Sequence, residues 1–79
     1  RLVICGMMTH MCVEATVRAA YDLDFECLVA QDACATKSLA LGEETIPAHQ
    51  VHLAFLAALK GRYAQILSVD EIILKLAGE

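Results

Sequence analysis

The sequence has little positive charge and no concentration of it. Its six Lys and Arg are scattered among ten Asp and Glu, for a formal net charge of −4. With no basic cluster to track phosphates, a nucleic-acid surface is not expected. No apolar run reaches the ~18 residues of a membrane-spanning helix, so no membrane partner is expected either. No internal repeat, low-complexity stretch or linker interrupts the chain. None of the four cysteines stands in a C-x-x-C pair, so neither a zinc ribbon nor a thioredoxin-type pair is indicated. The sequence does not begin with Met, and no signal or transit segment is visible within it, though a preceding segment could carry one. The chain opens at Arg1 and enters an apolar run at once. We therefore expect residues 1–79 to be the C-terminal part of a single longer domain, in a reducing, cytoplasmic setting.

What the chain has in quantity is apolar surface. Its 79 residues are 58% hydrophobic, with a mean hydropathy of +0.55. That is high for a self-sufficient domain of this size, where much of the surface must be polar. A large sheet covered on both faces, or a missing partner segment, would account for it.

Leu2–Cys5 is a continuous apolar run ending at Gly6, the pattern of a central parallel strand. Thr9 is a good N-cap for a helix reaching about Leu23. Val13, Thr16, Val17, Ala20 and Leu23 form its apolar stripe, and Glu14, Arg18 and Asp22 line the opposite face. Asp24 stands where a helix-ending Gly would be comfortable. Glu26–Gln31 reads as a second strand, with a loop opening at Asp32-Ala33-Cys34-Ala35. Residues 37–44 are polar and contain Gly42, which predicts an irregular or short helical connection. Thr45 and Pro47 announce the next helix. Its inward positions are Val51, His52, Phe55, Ala58 and Leu59, and Gly61 ends it. Ala64–Leu67 is a short third strand. Ser68-Val69-Asp70-Glu71 has the capping-box pattern and starts a last helix to about Ala77, with Ile72, Ile73 and Leu76 facing inward. Alternating strands and helices of this length specify the α/β class, a parallel sheet with helices on both faces.

One segment carries chemistry. Strand, tight turn and helix place Cys12 in a first helical turn at the edge of a sheet. Unpaired N–H groups and the positive end of the helix dipole lie there. Such a seat favours an anionic sulfur and offers donors to a negative oxygen. On the residues alone, a nucleophile and a buried structural cysteine both remain open. Cys5 and Cys27 fall within apolar strand patterns and are expected in the core. Cys34 opens a loop and is expected to pack there. His10 is two residues from Cys12, so on a helix the two side chains do not face each other. A zinc site of His10, Cys12 and Cys34 lacks regular ligand spacing. Asp32 is expected to hold a turn. Lys37 lies on a separate segment, and His49 and His52 are expected to be structural. Met7, Met8 and Met11 either line an apolar pocket or fill core.

Gly6-Met7-Met8-Thr9-His10-Met11-Cys12-Val13-Glu14-Ala15-Thr16, followed by Ala19-Ala20 and Phe25, resembles the signature of the isochorismatase-like cysteine hydrolases. This superfamily includes nicotinamidases, N-carbamoylsarcosine amidohydrolases and isochorismatases. Asp32-Ala33-Cys34-Ala35, Ile46-Pro47-Ala48 with His52, Ala54 and Phe55, and Ile66-Leu67-Ser68-Val69-Asp70-Glu71 extend the likeness over nearly the whole chain. The resemblance implies a three-layer α/β/α sandwich with a six-stranded parallel sheet of Rossmann-like topology. This chain would supply its C-terminal part, with the last three strands. It implies that Cys12 is the nucleophile, and that a cis peptide joins Met7 to Met8. The N–H groups of Met8 and Cys12 would form the oxyanion hole. The family's Asp base, its Lys and the metal-binding group of nicotinamidases lie in the N-terminal half, and no residue here matches them. No organic cofactor is implied, and a metal ion in that half stays open.

Isochorismatases that cleave a vinyl ether lack a cysteine at this position. Cys12 therefore points to hydrolysis of a C–N bond in a small-molecule amide. The family commonly forms homo-oligomers. Two other classes fit the residues: a non-catalytic interaction module without the remaining catalytic groups, and a redox-sensing thiol protein.

Overall fold

The computed structural model describes all residues, Arg1–Glu79. The apolar segments pair first. β1 (Leu2–Met7), β2 (Cys27–Ala35) and β5 (Gln65–Leu67) form a parallel sheet in the order β1-β2-β5. β2 lies in the middle, and Cys27, Leu28, Val29 and Ala30 are all buried. Successive residues point to opposite faces of a strand, so this run feeds two cores. Cys27 and Val29 join Val13, Val17, Ala20, Leu56, Leu59 and Ala64 on one side. Leu28 and Ala30 meet Ile72 on the other. The first core is closed by α1 (Glu14–Asp22) and α2 (Ala48–Leu59), the second by α3 (Val69–Ala77). The result is the three-layer α/β/α arrangement expected from the alternation of elements. No helix is long and apolar enough to cross a membrane.

Local signals set several boundaries. α3 starts at the expected capping box. Ser68 Oγ accepts from the Glu71 N–H at 3.0 Å, and Glu71 Oε1 accepts from the Ser68 N–H at 2.8 Å. Asp32 adds a third tie, its Oδ1 accepting from the Val69 N–H at 2.8 Å. Asp24 takes the left-handed conformation foreseen for it, with φ of 69°. α2 follows Pro47, whose φ of −59° suits a helix start. Glu14 and Arg18 form an ion pair along α1, and the Arg18 guanidinium lies 4.6 Å over the Tyr63 ring.

Four expectations are corrected. The second strand does not stop at Gln31. After an irregularity between Ile4 and Gly6, β1 pairs again with β2 as Gly6↔Cys34 and Met7↔Ala35, giving that backbone new partners. Residues 37–44 are not irregular or helical. β3 (Leu39–Leu41) and β4 (Glu44–Ile46) form an antiparallel hairpin, turned by Gly42 with φ of 62°, the positive φ that a two-residue hairpin loop needs at its first position. Thr9 is not an N-cap. Met8 occupies that place without a side-chain cap.

The fourth correction concerns burial. Cys5 is exposed rather than in the core, and Leu2 and Val3 are exposed with it, because β1 is an edge strand of this sheet. Ile73 and Leu76 are exposed too, and only Ile72 of α3 is buried. These side chains border an apolar groove with Val3, Cys5 and Ala33. On α1, Thr16 and Leu23 face outward. On α2, Leu56 is buried and Ala58 exposed, while His52 and Phe55 are half-buried.

Two of the three side-chain ties at the start of α3 should be measurable separately. Ser68→Ala and Asp32→Ala are each expected to destabilise the fold by about 0.5–2 kcal/mol, the usual cost of removing a helix N-terminal acceptor. Urea denaturation checks this, and an unchanged midpoint for both would show that α3 is held by packing alone.

Candidate active site

The carboxyl ends of parallel strands are where open α/β sheets bind ligands, and β1 ends at such an edge. Gly6, with φ of 134°, turns the chain, and the Met7–Met8 peptide bond is cis. A π-helical turn, Thr9–Val13, follows and runs directly into α1. Its wide winding is seen in the Val13 N–H, which donates to Met8 O five residues back at 3.2 Å, beside the Met11 N–H at 3.0 Å. The Met8 N–H follows that cis bond, at the end of the β1 ladder where Met7 pairs with Ala35. Met8 thus lies four residues before Cys12, at the junction of the strand and the turn.

Cys12 is exposed. It borders a shallow hollow of about 330 Å³ with His10, Met11, Glu14 and Ala15. The turn beneath it is tied at two neighbouring residues. Thr9 is fully buried, and its hydroxyl lies 2.9 Å from His52 Nδ1 and 3.4 Å from Ala35 O. His10 Nδ1 lies 2.6 Å from Thr36 Oγ1, and its ring packs against Phe55 with centroids 5.9 Å apart. His10 is thus engaged by Thr36 through one ring nitrogen. Sequence reading placed His52 as an inward, structural residue but missed its pairing with Thr9, and it missed Thr36. No spacing could reveal them, because the contacts join residues 43 and 26 positions apart.

Cys5 is exposed as Cys12 is, and the other two cysteines differ. Cys27 is buried, and burial pushes its thiol up. Cys34 is half-buried opposite Gly6. Burial pushes its thiol up as well, partly opposed by the Gly6 N–H and reinforced by nearby Cys5 and Asp32. Asp32 ties α3 through Val69, and Lys37 is exposed on the segment before the hairpin. No group of three or more His, Cys, Asp or Glu side chains converges in the structure as a metal ion would require.

The Isochorismatase domain model matches residues 1–71. The chain belongs to the isochorismatase family. It is 47% identical over 72 residues to the isochorismatase family protein YddQ of Bacillus subtilis strain 168, covering 91% of this chain and 40% of that protein. With the isochorismatase family protein YecD of Escherichia coli O157:H7 it shares 32% over 72 residues, covering 91% of this chain and 33% of that one. Among solved structures, an isochorismatase from Pseudomonas putida KT2440 superposes with a TM-score of 0.85 at 36% identity, over 89% of this chain and 36% of that chain. A cysteine hydrolase from Pseudomonas syringae pv. phaseolicola 1448A shares the fold, with a TM-score of 0.89 at 21% identity, over 96% of this chain and 36% of that one. The chain thus spans well under half the length of these isochorismatase-family relatives.

Thiol chemistry separates Cys12 from Cys27 and Cys34 in this family member. Iodoacetamide at neutral pH should label exposed Cys12 well before Cys27 and Cys34. The thiols of Cys27 and Cys34 are pushed up, so their thiolate fractions stay low until pH rises above the ordinary thiol range. Peptide mapping after timed labelling checks the order. Early labelling of Cys27 under native conditions would contradict the placement of β2 at the centre of the sheet.

Proposed function

We propose that this chain carries the nucleophile of a cysteine hydrolase that opens the C–N bond of a small amide through a thioester. The observation that carries this reading is the placing of Cys12. It is an exposed thiol on the first turn beyond the carboxyl end of β1, four residues after the residue that follows the cis Met7–Met8 bond. The family membership adds a hydrolase context.

The chemistry follows from that arrangement. The Cys12 thiolate attacks the amide carbonyl carbon, forming a C–S bond and sending the carbonyl π pair onto oxygen. The N–H groups of Met8 and Cys12 stabilise that oxyanion. The tetrahedral centre collapses, the C–N bond breaks, and the leaving nitrogen takes a proton to depart as an amine. Water then adds to the thioester, the C–S bond breaks, and the acid is released with Cys12 restored. The groups that take the Cys12 proton and deliver one to nitrogen have no match among these residues. In this reading they come from the Asp and Lys that the family carries in its N-terminal half. The relatives are more than twice as long as this chain, which leaves room for that half. Assembly of the working protein as a homo-oligomer belongs to the same proposal.

In the complete gene product, Cys12→Ala should lower kcat/KM for a small primary amide at least ~10³-fold, as expected for loss of a covalent nucleophile. Steady-state ammonia release across an amide panel measures it. A Cys12→Ala protein that keeps its rate would remove Cys12 from the chemistry.

A further inference from the structure

We propose that Thr9 and His52 act as a positioning pair that holds the turn bearing Cys12, and that their hydrogen bond sets the rate of the chemical step. This rests on the reading of Cys12 as the nucleophile. Thr9 has no accessible surface, and valine would fill nearly the same space. A buried hydroxyl is unfavourable unless it is bonded, so its presence has to be understood through its partners. Those are His52 Nδ1 at 2.9 Å and Ala35 O at 3.4 Å. The hydroxyl has one proton to give. Whether Ala35 O or Nδ1 receives it, a neutral imidazole has a tautomer that completes the shorter bond.

The pair links two elements that the chain brings together only on folding. His52 stands on α2, which is anchored by Val51, Leu56 and Leu59, all buried. Leu56 and Leu59 enter the same core as Val13 and Val17, the residues that anchor the far end of the Cys12 turn. α2 is therefore a rigid post, and Thr9 hangs the near end of the turn on it. The next residue is tied from another direction, His10 Nδ1 to Thr36 Oγ1 at 2.6 Å. Thr9 is three residues before Cys12, within the same π-helical turn. Releasing the hydroxyl lets the near end of the turn shift against α2. A small displacement of a nucleophile costs rate far more than substrate affinity, because attack depends on alignment of the reacting atoms.

The test uses the complete gene product with Thr9→Val, Thr9→Ser, His52→Ala and the double variant Thr9→Val/His52→Ala. Thr9→Val and His52→Ala should each lower kcat by ~10–100-fold with KM within ~3-fold, as a misplaced nucleophile would. The double variant should be no worse than the lower single, because the two act through one bond. Thr9→Ser, which keeps the hydroxyl, should recover kcat to within ~3-fold of the parent. An unchanged kcat in Thr9→Val, a Thr9→Ser protein as slow as Thr9→Val, or losses that multiply in the double variant would overturn the pair. A second readout stands apart from amide turnover. Alkylation of Cys12 by iodoacetamide should slow by ~3-fold in Thr9→Val and return in Thr9→Ser, as the N–H groups around the sulfur lose their fixed positions. If Cys12→Ala leaves turnover intact, the nucleophile reading falls while alkylation still judges the pair. An alkylation rate indifferent to Thr9→Val would then sink the pair as well.

Discussion

The pairing of β1 with β2 is the constraint on which the rest of this structure depends. Leu2, Val3 and Ile4 run in parallel register with Cys27, Leu28 and Val29, and after an irregularity Gly6 and Met7 rejoin Cys34 and Ala35. That second contact decides where β1 leaves the sheet, and so where the turn with Cys12 begins. It also draws out the end of β2, whose Ala35 carbonyl lies 3.4 Å from the Thr9 hydroxyl and whose successor Thr36 meets His10. A parallel ladder is useful here because all its strands deliver their carboxyl ends to one edge. The sheet thus sets the position of Cys12 through backbone hydrogen bonds, before any neighbouring side chain is considered.

The helices complete that placement from the two faces. α1 and α2 share one core with Cys27 and Val29, and α3 covers Leu28 and Ala30. Burial on the first face is what holds α2 against the Cys12 turn. The second face is thinner. Only Ile72 of α3 is buried, while Ile73 and Leu76 stay exposed beside Val3 and Cys5. The high apolar content thus resolves into one well-packed face and one apolar groove.

Legibility in the sequence followed the range of the interactions. α3 was readable to the residue because Ser68 and Glu71 cap each other within four positions. The turn at Asp24 was readable from the helix end alone. The extension of β2 through Cys34 was not, because its partners Gly6 and Met7 lie nearly thirty residues away and are reached only after a register irregularity. The hairpin around Gly42 carried a signal that polarity obscured, a Gly-Glu pair between two short runs, Leu39–Leu41 and Glu44–Ile46. Cys5 was misjudged for another reason. Its apolar run is that of a strand covered on both sides, and here β1 stands at an edge. At the site, Cys12 was visible through the segment around it. The Thr9–His52 and His10–Thr36 contacts were invisible, since they exist only once α2 and the end of β2 close around the turn.

The central claim is that Cys12 bonds covalently to the carbon of the substrate. Acid quenching of the complete protein during turnover of a small amide, followed by intact-mass measurement and peptide mapping, tests it most directly. The account requires an added acyl mass on the peptide containing Cys12, labile to hydroxylamine as a thioester is. An acyl group on another residue, or turnover with no acylated species in a single-turnover time course, would contradict it.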